Sequence, residues 1–498
     1  MRGKRETALC LLILIFAVIL RIYNGTQKVY FHMDEAYSYG LMNDADLNIT
    51  DRPDFWNTFH DSGYYLSYLS VEEDEKNDWG PVYENQVRDV HPPLYYLFLR
   101  LFAEGSGGTF TKWSGLALNM LLAVCSGILL YQLGNLLTGK RIFGCLACLI
   151  GCFSLLSQEM SLYIRMYEMA NLAVIAIFRT QLCWLQDRKK SRLILAGIML
   201  VLAGLTHYYC LIFAFGLWLI ITLWLLAEKK FRLVMAYQIC VLCAAVLFLL
   251  IFPAALYHVF GSYRGIGAAA SLGNGLEQIK EMLTLLNTYA FHGTGILWIL
   301  LFLIALTVDK LRRPLILLTV PMGLFILIAG LQAPYREIRY LMPASGLTAL
   351  WISVICAGTC EWVKNKTAGI LIAEGLVCLM LLAPVLADRE QMMEYGQYRR
   401  ITTLAQTGHP DMIYLFDPSN NRFLDDIYLF TQSNLSYVTD SREVSEESLS
   451  GICGQMGDTI WIFSNDRGNE TMIEDFYGIQ IQETQDMNAC RIYLCKKQ

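Results

Sequence analysis

Charge is what this sequence lacks. Asp, Glu, Lys and Arg make up 17% of its 498 residues, while 55% are hydrophobic; an ordinary soluble protein has about 25% charged residues. No internal repeat, low-complexity segment or Gly-rich nucleotide-binding loop is present. The scarcity of charge argues against a nucleic-acid binder, and the missing low-complexity tracts argue against a disordered chain. Fifteen cysteines are present. Twelve sit in or beside apolar runs, where Cys is a small apolar filler, so a disulfide-stapled secreted domain is excluded too.

What is there instead is a succession of apolar runs, 15 to 25 residues long, from Leu9 to Ala387. Runs of that length read as membrane-spanning helices and exclude a soluble enzyme. Eleven spans are expected, at about 7–23, 112–137, 141–157, 167–186, 193–207, 210–227, 233–254, 295–309, 315–332, 340–358 and 369–387. The basic residues set their direction. Arg2, Lys4 and Arg5 begin the chain; Lys140 and Arg141, then Arg188, Lys189, Lys190 and Arg192, then Lys229, Lys230 and Arg232, then Lys310, Arg312 and Arg313, then Lys364 and Lys366 occupy every second loop. These seventeen residues place the N-terminus inside and the C-terminus outside. No A-x-A-like site follows the first run, so it reads as an uncleaved span.

The fold expected is a polytopic α-helical membrane protein of the cell membrane, with a small α/β C-terminal domain on the outer face. Residues 1–387 form the transmembrane module, including a long first outer loop at 24–111, and residues 388–498 form the extracytoplasmic domain. A second outer loop covers 255–294. In the C-terminal domain, strand-like runs at Met412–Phe416, Leu435–Val438, Thr459–Phe463 and Ala489–Leu494 alternate with helical segments at Asn421–Gln432, Glu443–Met456 and Glu470–Tyr477. Cys453, Cys490 and Cys495 lie there; one disulfide could form and would leave one free thiol. Cys145 and Cys148 make a C-x-x-C without a partner pair, inside a span.

Polar residues at span ends on one face are where chemistry is to be sought. Asp34-Glu35 sits among aromatics in Phe31–Tyr39; apolar surroundings can raise a carboxyl pKa and make a useful base, although an acid pair is also an ordinary solvated turn. Asp89-Val90-His91-Pro92-Pro93-Leu94-Tyr95-Tyr96 has a backbone fixed by two prolines, which can start a helical run Leu94–Phe102 too short to span. Ser157–Tyr167 carries Arg165, which breaks the basic-inside pattern, followed by Tyr167. His207-Tyr208-Tyr209 joins two spans, and Pro334–Pro343 contains Arg336, Arg339 and Tyr340. Three arginines at the outer boundary suit an anion such as phosphate, whose oxygens match the planar guanidinium; each alone is equally compatible with a structural ion pair, as with Glu159 for Arg165. The first loop is acidic, with fourteen Asp and Glu against four Lys and Arg over 24–91, and reads mainly as a solvated face.

In this order the clusters resemble the GT-C membrane glycosyltransferases, and within them the dolichyl-phosphate-mannose protein mannosyltransferases and their bacterial relatives, which include the lipid A aminoarabinose transferases. The resemblance covers roughly residues 7–390. It rests on the outer-loop Asp-Glu, the His-Pro-Pro-Leu segment, Arg-x-Tyr after the third span, the His-Tyr pair and Arg-x-x-Arg-Tyr-Leu-x-Pro. It implies a polyprenyl-phosphate-linked sugar donor and inverting transfer on the outer face to a glycan, lipid or protein acceptor in the envelope. Asp34 falls on the base and Glu35 on its positioning neighbour. His91, Arg165, Tyr167, His207, Tyr208, Arg336, Arg339 and Tyr340 fall on donor phosphate and sugar contacts. The chain lacks a Lys soon after His-Pro-Pro-Leu, where it has Tyr95-Tyr96, and lacks an inserted lumenal domain; both departures point to the bacterial relatives.

The residues fit this chemistry independently. A carboxylate can take the proton of an attacking hydroxyl, and a departing phosphate needs charge stabilisation from arginine. No cofactor or metal is required, with room left for a divalent ion near Asp34 or His91. Partners are the donor, the acceptor and membrane lipid, with no nucleic acid. A transporter or flippase of lipid-linked sugars, and an inactive scaffold of the same fold, are the competing readings; a transporter more naturally carries ionisable residues at mid-span and paired repeats.

Overall fold

The computed structural model describes residues 2–43, 47–262, 275–333, 337–382, 395–487 and 490–498. The chain divides into two compact units. One comprises Met1–Thr26, Val90–Tyr95 and Leu116–Met392, and the other Gln27–Asp89, Tyr96–Gly115 and Met393–Gln498.

The first unit is helical, and the expected spans fall on helix as far as they are described; residues 383–387 of the last one lie outside the described residues. Among the described residues, six helices are long and apolar enough to cross a membrane: Lys4–Gln27, Lys112–Thr138, Tyr208–Ala227, Phe231–Ile251, Asp309–Gln332 and Ile338–Trp362. The pair Arg141–Phe153 and Leu155–Leu162, bent by 52°, makes a seventh when taken as one span. Helices Tyr167–Asp187, Lys190–Thr206, Gly295–Leu306 and Lys366–Val377 occupy the remaining positions. The third span departs from expectation, because its helix stops at Phe153 and restarts at Leu155 in a new direction. Large apolar side chains such as Leu242, Leu250 and Ile299 remain exposed on the helices, as lipid-facing surface requires.

Close helix packing depends on small residues. A Cβ at Gly144 would come 2.4 Å from the Tyr131 carbonyl oxygen, so only glycine lets these two helices meet there. On the side assigned to the cytoplasm, one carboxylate gathers three loops. Glu361 Oε1 lies 3.0 Å from Lys140 Nζ and 3.0 Å from Lys310 Nζ, and Oε2 lies 3.4 Å from Lys366 Nζ. Three loops placed on one face by their basic residues thus share one counter-charge.

The second unit is built on a six-stranded sheet in the order β1-β3-β2-β4-β6-β5, where β1 is Phe59–His60, β2 Asp411–Phe416, β3 Ser436–Asp440, β4 Thr459–Ser464, β5 Ile479–Asp486 and β6 Arg491–Lys497. Strands β3, β2 and β4 are parallel, and β1, β6 and β5 join antiparallel. Helices Phe423–Phe430 and Glu446–Gly454 make the crossovers between the parallel strands, as parallel pairing demands. The four expected strands are present with small changes of boundary, though Ala489 lies outside the described residues. Two strands are additional. β5 alternates buried and exposed residues with a polar outer face, and β1 comes from the first outer loop, pairing Phe59 with Tyr437 and His60 with Ser436. All fifteen cysteines are free thiols, including Cys453, Cys490 and Cys495.

Candidate functional site

In the helical unit the sequence clusters containing His91, Arg165, His207 and Arg339 converge on one set of rings and cations. The bent pair of helices ends at Leu162, and the non-helical link Tyr163–Met166 holds Arg165 buried at 4% exposure before the helix starting at Tyr167. Asn119, fully buried in the middle of helix Lys112–Thr138, fixes this link. Its Nδ2 donates to the Tyr163 carbonyl at 2.9 Å, and its Oδ1 accepts from Tyr95 Oη at 3.3 Å. One amide in a span therefore ties the His-Pro-Pro segment to the arginine link.

Around this point the rings form a chain. Tyr163 and Tyr167 stack with centroids 5.9 Å apart, Tyr167 is 5.8 Å from His207, His207 is 6.3 Å from His91, and Tyr209 lies 5.1 Å from His207 and 5.7 Å from Tyr340. Arg165 and His91 are both within electrostatic range of His207. His207 breaks the chain between two helices and caps the second, its Nδ1 accepting from the Tyr209 N–H at 3.0 Å. That leaves Nε2 as the ring's protonated nitrogen in the neutral form. The hydroxyl of Tyr208 instead meets Nδ1 of His258 at 2.7 Å.

Arg339 and Tyr340 lie on a 3-10 turn, Ile338–Ala344, that runs directly into helix Ser345–Trp362. Arg339 Nη1 donates to Tyr163 Oη at 3.2 Å, and its guanidinium sits 5.5 Å from the Tyr340 ring centre. Glu337 pairs with Arg339 at 2.8 Å. The turn is anchored by Asn171, whose Oδ1 accepts from the Gly346 N–H at 2.8 Å; a Cβ at Gly346 would press within 2.5 Å of Ile175. Arg336 lies outside the described residues. The structure thus brings together His91, Arg165, Tyr167, His207, Arg339 and Tyr340. It adds Tyr163, Tyr209 and Asn119; the two tyrosines stand inside the quoted motifs, whereas a mid-span Asn gave no sequence signal beyond its polarity.

In the second unit, helix Met33–Asn43 carries Asp34 and Glu35 in its first turn. Their environments differ sharply. Glu35 is 2% exposed and lies 2.9 Å from Lys28 Nζ, itself 2% exposed, while its Oε2 also accepts from the His32 N–H at 3.0 Å. Burial pulls the Lys28 ammonium below its ordinary pKa despite the opposing charge of Glu35. Asp34 is 20% exposed, with His32 Nδ1 at 3.8 Å from its carboxylate and 3.1 Å from its backbone nitrogen. Of the two acids, Glu35 is committed to a buried ion pair and Asp34 is the more exposed. Lys28 was not singled out in the sequence, because a single Lys after a span carries no motif. Among the described residues no group of three or more His, Cys, Asp or Glu side chains is arranged to hold a metal ion. One Asp-x-Asp spacing does occur, Asp44-Ala45-Asp46, and lies outside the described residues.

No protein-family profile and no curated protein matches the sequence. Solved structures do. ArnT from Cupriavidus metallidurans in the apo state is similar at a TM-score of 0.54 and 9% identity, over 99% of this chain and 98% of that one. The same protein bound to undecaprenyl phosphate gives a TM-score of 0.51 at 11% identity, over 99% and 97%. The apo oligosaccharyltransferase of Archaeoglobus fulgidus gives 0.52 at 11% identity, over 92% of this chain and 69% of that one. This chain has the same fold as these two proteins. That fold accounts for the polytopic helices and the small α/β unit alike.

Proposed function

We propose that this protein is a membrane glycosyltransferase that moves a sugar from a polyprenyl-phosphate donor to an acceptor hydroxyl of the cell envelope, a glycan, lipid or protein, on the outer face and with inversion. The observation that carries this reading is the GT-C fold over 99% of the chain, shared with a protein crystallised with undecaprenyl phosphate. The arginine and aromatic cluster of the helical unit supports it, because buried Arg165 and the Arg339 turn supply what a lipid-linked phosphate needs.

Each group then has one task. The acceptor hydroxyl loses its proton to the Asp34 carboxylate as its oxygen bonds to the anomeric carbon. The bond from that carbon to the phosphate oxygen breaks, and the polyprenyl phosphate leaves with the electron pair. Arg165 and Arg339, with Arg336 from the same motif, stabilise the charge gathering on phosphate. The rings of Tyr167, His207 and Tyr340 form an amphipathic wall suited to a sugar and its isoprenoid attachment. Glu35, tied to Lys28, keeps the start of the helix in place and does not take the proton.

Purified protein in detergent, given a synthetic polyprenyl-phosphate sugar and an envelope extract, tests the proposal. Appearance of free polyprenyl phosphate together with a glycosylated acceptor of inverted anomeric configuration supports it. Movement of the donor between leaflets of a vesicle without bond cleavage would establish the flippase reading. Neither activity, with envelope glycans unchanged by deletion of the gene, would leave a scaffold.

A further inference from the structure

We propose that Asp425, in the C-terminal part of the chain, is a positioning residue for the Asp34 base. The inference deepens the transferase reading and rests on it. The first N–H groups of a helix have no partner inside the helix and must find one elsewhere. In helix Met33–Asn43 the Glu35 N–H is taken by the His32 carbonyl at 2.8 Å, and the Asp34 N–H by His32 Nδ1 at 3.1 Å. The Met33 N–H is taken by a residue 392 positions away, donating to Asp425 Oδ1 at 2.7 Å. The same oxygen accepts from Tyr30 Oη at 2.9 Å. One buried carboxylate thus holds the turn before the helix and the helix's first residue, immediately beside Asp34. A negative charge at a helix N-terminus is also favoured by the helix dipole.

Asp425 is itself held in place. It is 2% exposed, in the first turn of helix Phe423–Phe430, and its Oδ2 accepts from Arg422 Nε at 2.8 Å. Tyr30 stacks on Tyr398 at 4.0 Å between ring centres, so its hydroxyl has little freedom. The next residue, Asp426, is fully buried and turned to other groups: Cys490 Sγ at 3.3 Å and Tyr414 Oη at 3.4 Å from its Oδ2. Two adjacent acids on one short helix therefore do different work. Asp425 grips the segment that carries the base, and Asp426 sits in the core behind it. A base works only when held in geometry, and a shift of about 1 Å can cost about 10²-fold in rate.

The experiment uses the full-length protein in detergent with Asp425→Asn, Asp425→Ala and Asp426→Asn. Transfer is measured as kcat and KM for the donor, and hydrogen exchange is followed by mass spectrometry over the peptides covering residues 28–43. The expected result is graded: kcat falls several-fold in Asp425→Asn, which keeps an acceptor oxygen, and about 10- to 100-fold in Asp425→Ala. KM for the donor changes little, and Asp426→Asn stays near wild type. Exchange at the start of helix Met33–Asn43 speeds up in Asp425→Ala, while peptides of β2 and β4 keep their protection. Should Asp425→Ala fail to fold, Asp425→Asn and Tyr30→Phe carry the same readouts. Unchanged kcat and unchanged exchange in a folded Asp425→Asn and Tyr30→Phe overturn the proposal. Faster exchange without any transfer by the wild type would retain the tether and overturn the transferase reading instead.

Discussion

Two of the adjacent acid pairs in the second unit, Asp34-Glu35 and Asp425-Asp426, invite comparison. Glu35 is matched to buried Lys28 and Asp425 to Arg422. The other member of each pair differs in its exposure: Asp34 is one-fifth exposed and Asp426 is fully buried. Burial, reinforced by the charge of Asp425, pushes the Asp426 carboxyl up to about 7. The difference teaches that two adjacent acids can meet very different surroundings, one anchored to a cation and its neighbour either partly solvated or sealed in the core.

The comparison can be broken at four points. The largest effect belongs to Asp34→Asn, which is nearly isosteric but cannot accept a proton; transfer should fall by about 10²–10⁴-fold at normal expression and donor binding, measured by turnover of a synthetic donor. Glu35→Gln should lose less. A reversal of that ranking would exchange the roles of the two acids. Next, Lys28→Met strands Glu35 as a buried charge and should cost about 3–5 kcal/mol in the second unit, read from denaturant unfolding; adding Glu35→Gln should recover most of it, and failure to recover would mean the pair is not the anchor. Third, Arg165→Ala should weaken donor use about 10- to 100-fold, and Arg165→Lys less, since a point charge replaces part of a phosphate contact. Full activity in an Arg165→Ala, Glu159→Gln double variant would reduce Arg165 to an ion-pair partner.

The smallest effect is one of pH. Native Asp426 keeps its proton up to about pH 7, whereas an unfolded Asp releases it near pH 4. Between those values the native state binds the extra proton, so stability contributed by this group is greatest below about pH 4, declines as pH rises toward 7, and is flat above. The decline is at most about 1.4 kcal/mol per pH unit. Asp426→Asn should flatten this part of the profile in thermal unfolding of the second unit, and an unchanged slope would show that Asp426 titrates normally.

What could be read in the sequence follows the same physical divide. Spans are legible because a membrane demands long apolar runs, and the expected runs fall on helix wherever they are described. The rings at His91, Tyr167, His207 and Tyr340 were legible as polar clusters at span ends. Strand β5 was not, since its Ile-Gln-Ile-Gln-Glu-Thr-Gln-Asp pattern exposes every second residue and reads as polar. Nor was β1, two residues whose strand character comes only from pairing with β3. The acid pair at 34–35 was visible, but which acid is buried depends on Lys28. Asp425 was silent because its partner Met33 is 392 residues distant, and no local pattern encodes a contact of that range.

The Glu361 junction carries a consequence for how the protein is made. Lys140 and Lys310 leave the ribosome well before Glu361, and Lys366 just after it. While the early helices insert, those two lysines are uncompensated charges, in the state in which loop lysines direct helix orientation. Only when the tenth expected span arrives does a single carboxylate pair with lysines from all three loops. With the orientation expected from the basic residues, the same lysines would act first as signposts during insertion and then as a latch. A chain ending before Glu361 would keep its orientation signals and lose the latch, leaving helices correctly threaded but not gathered.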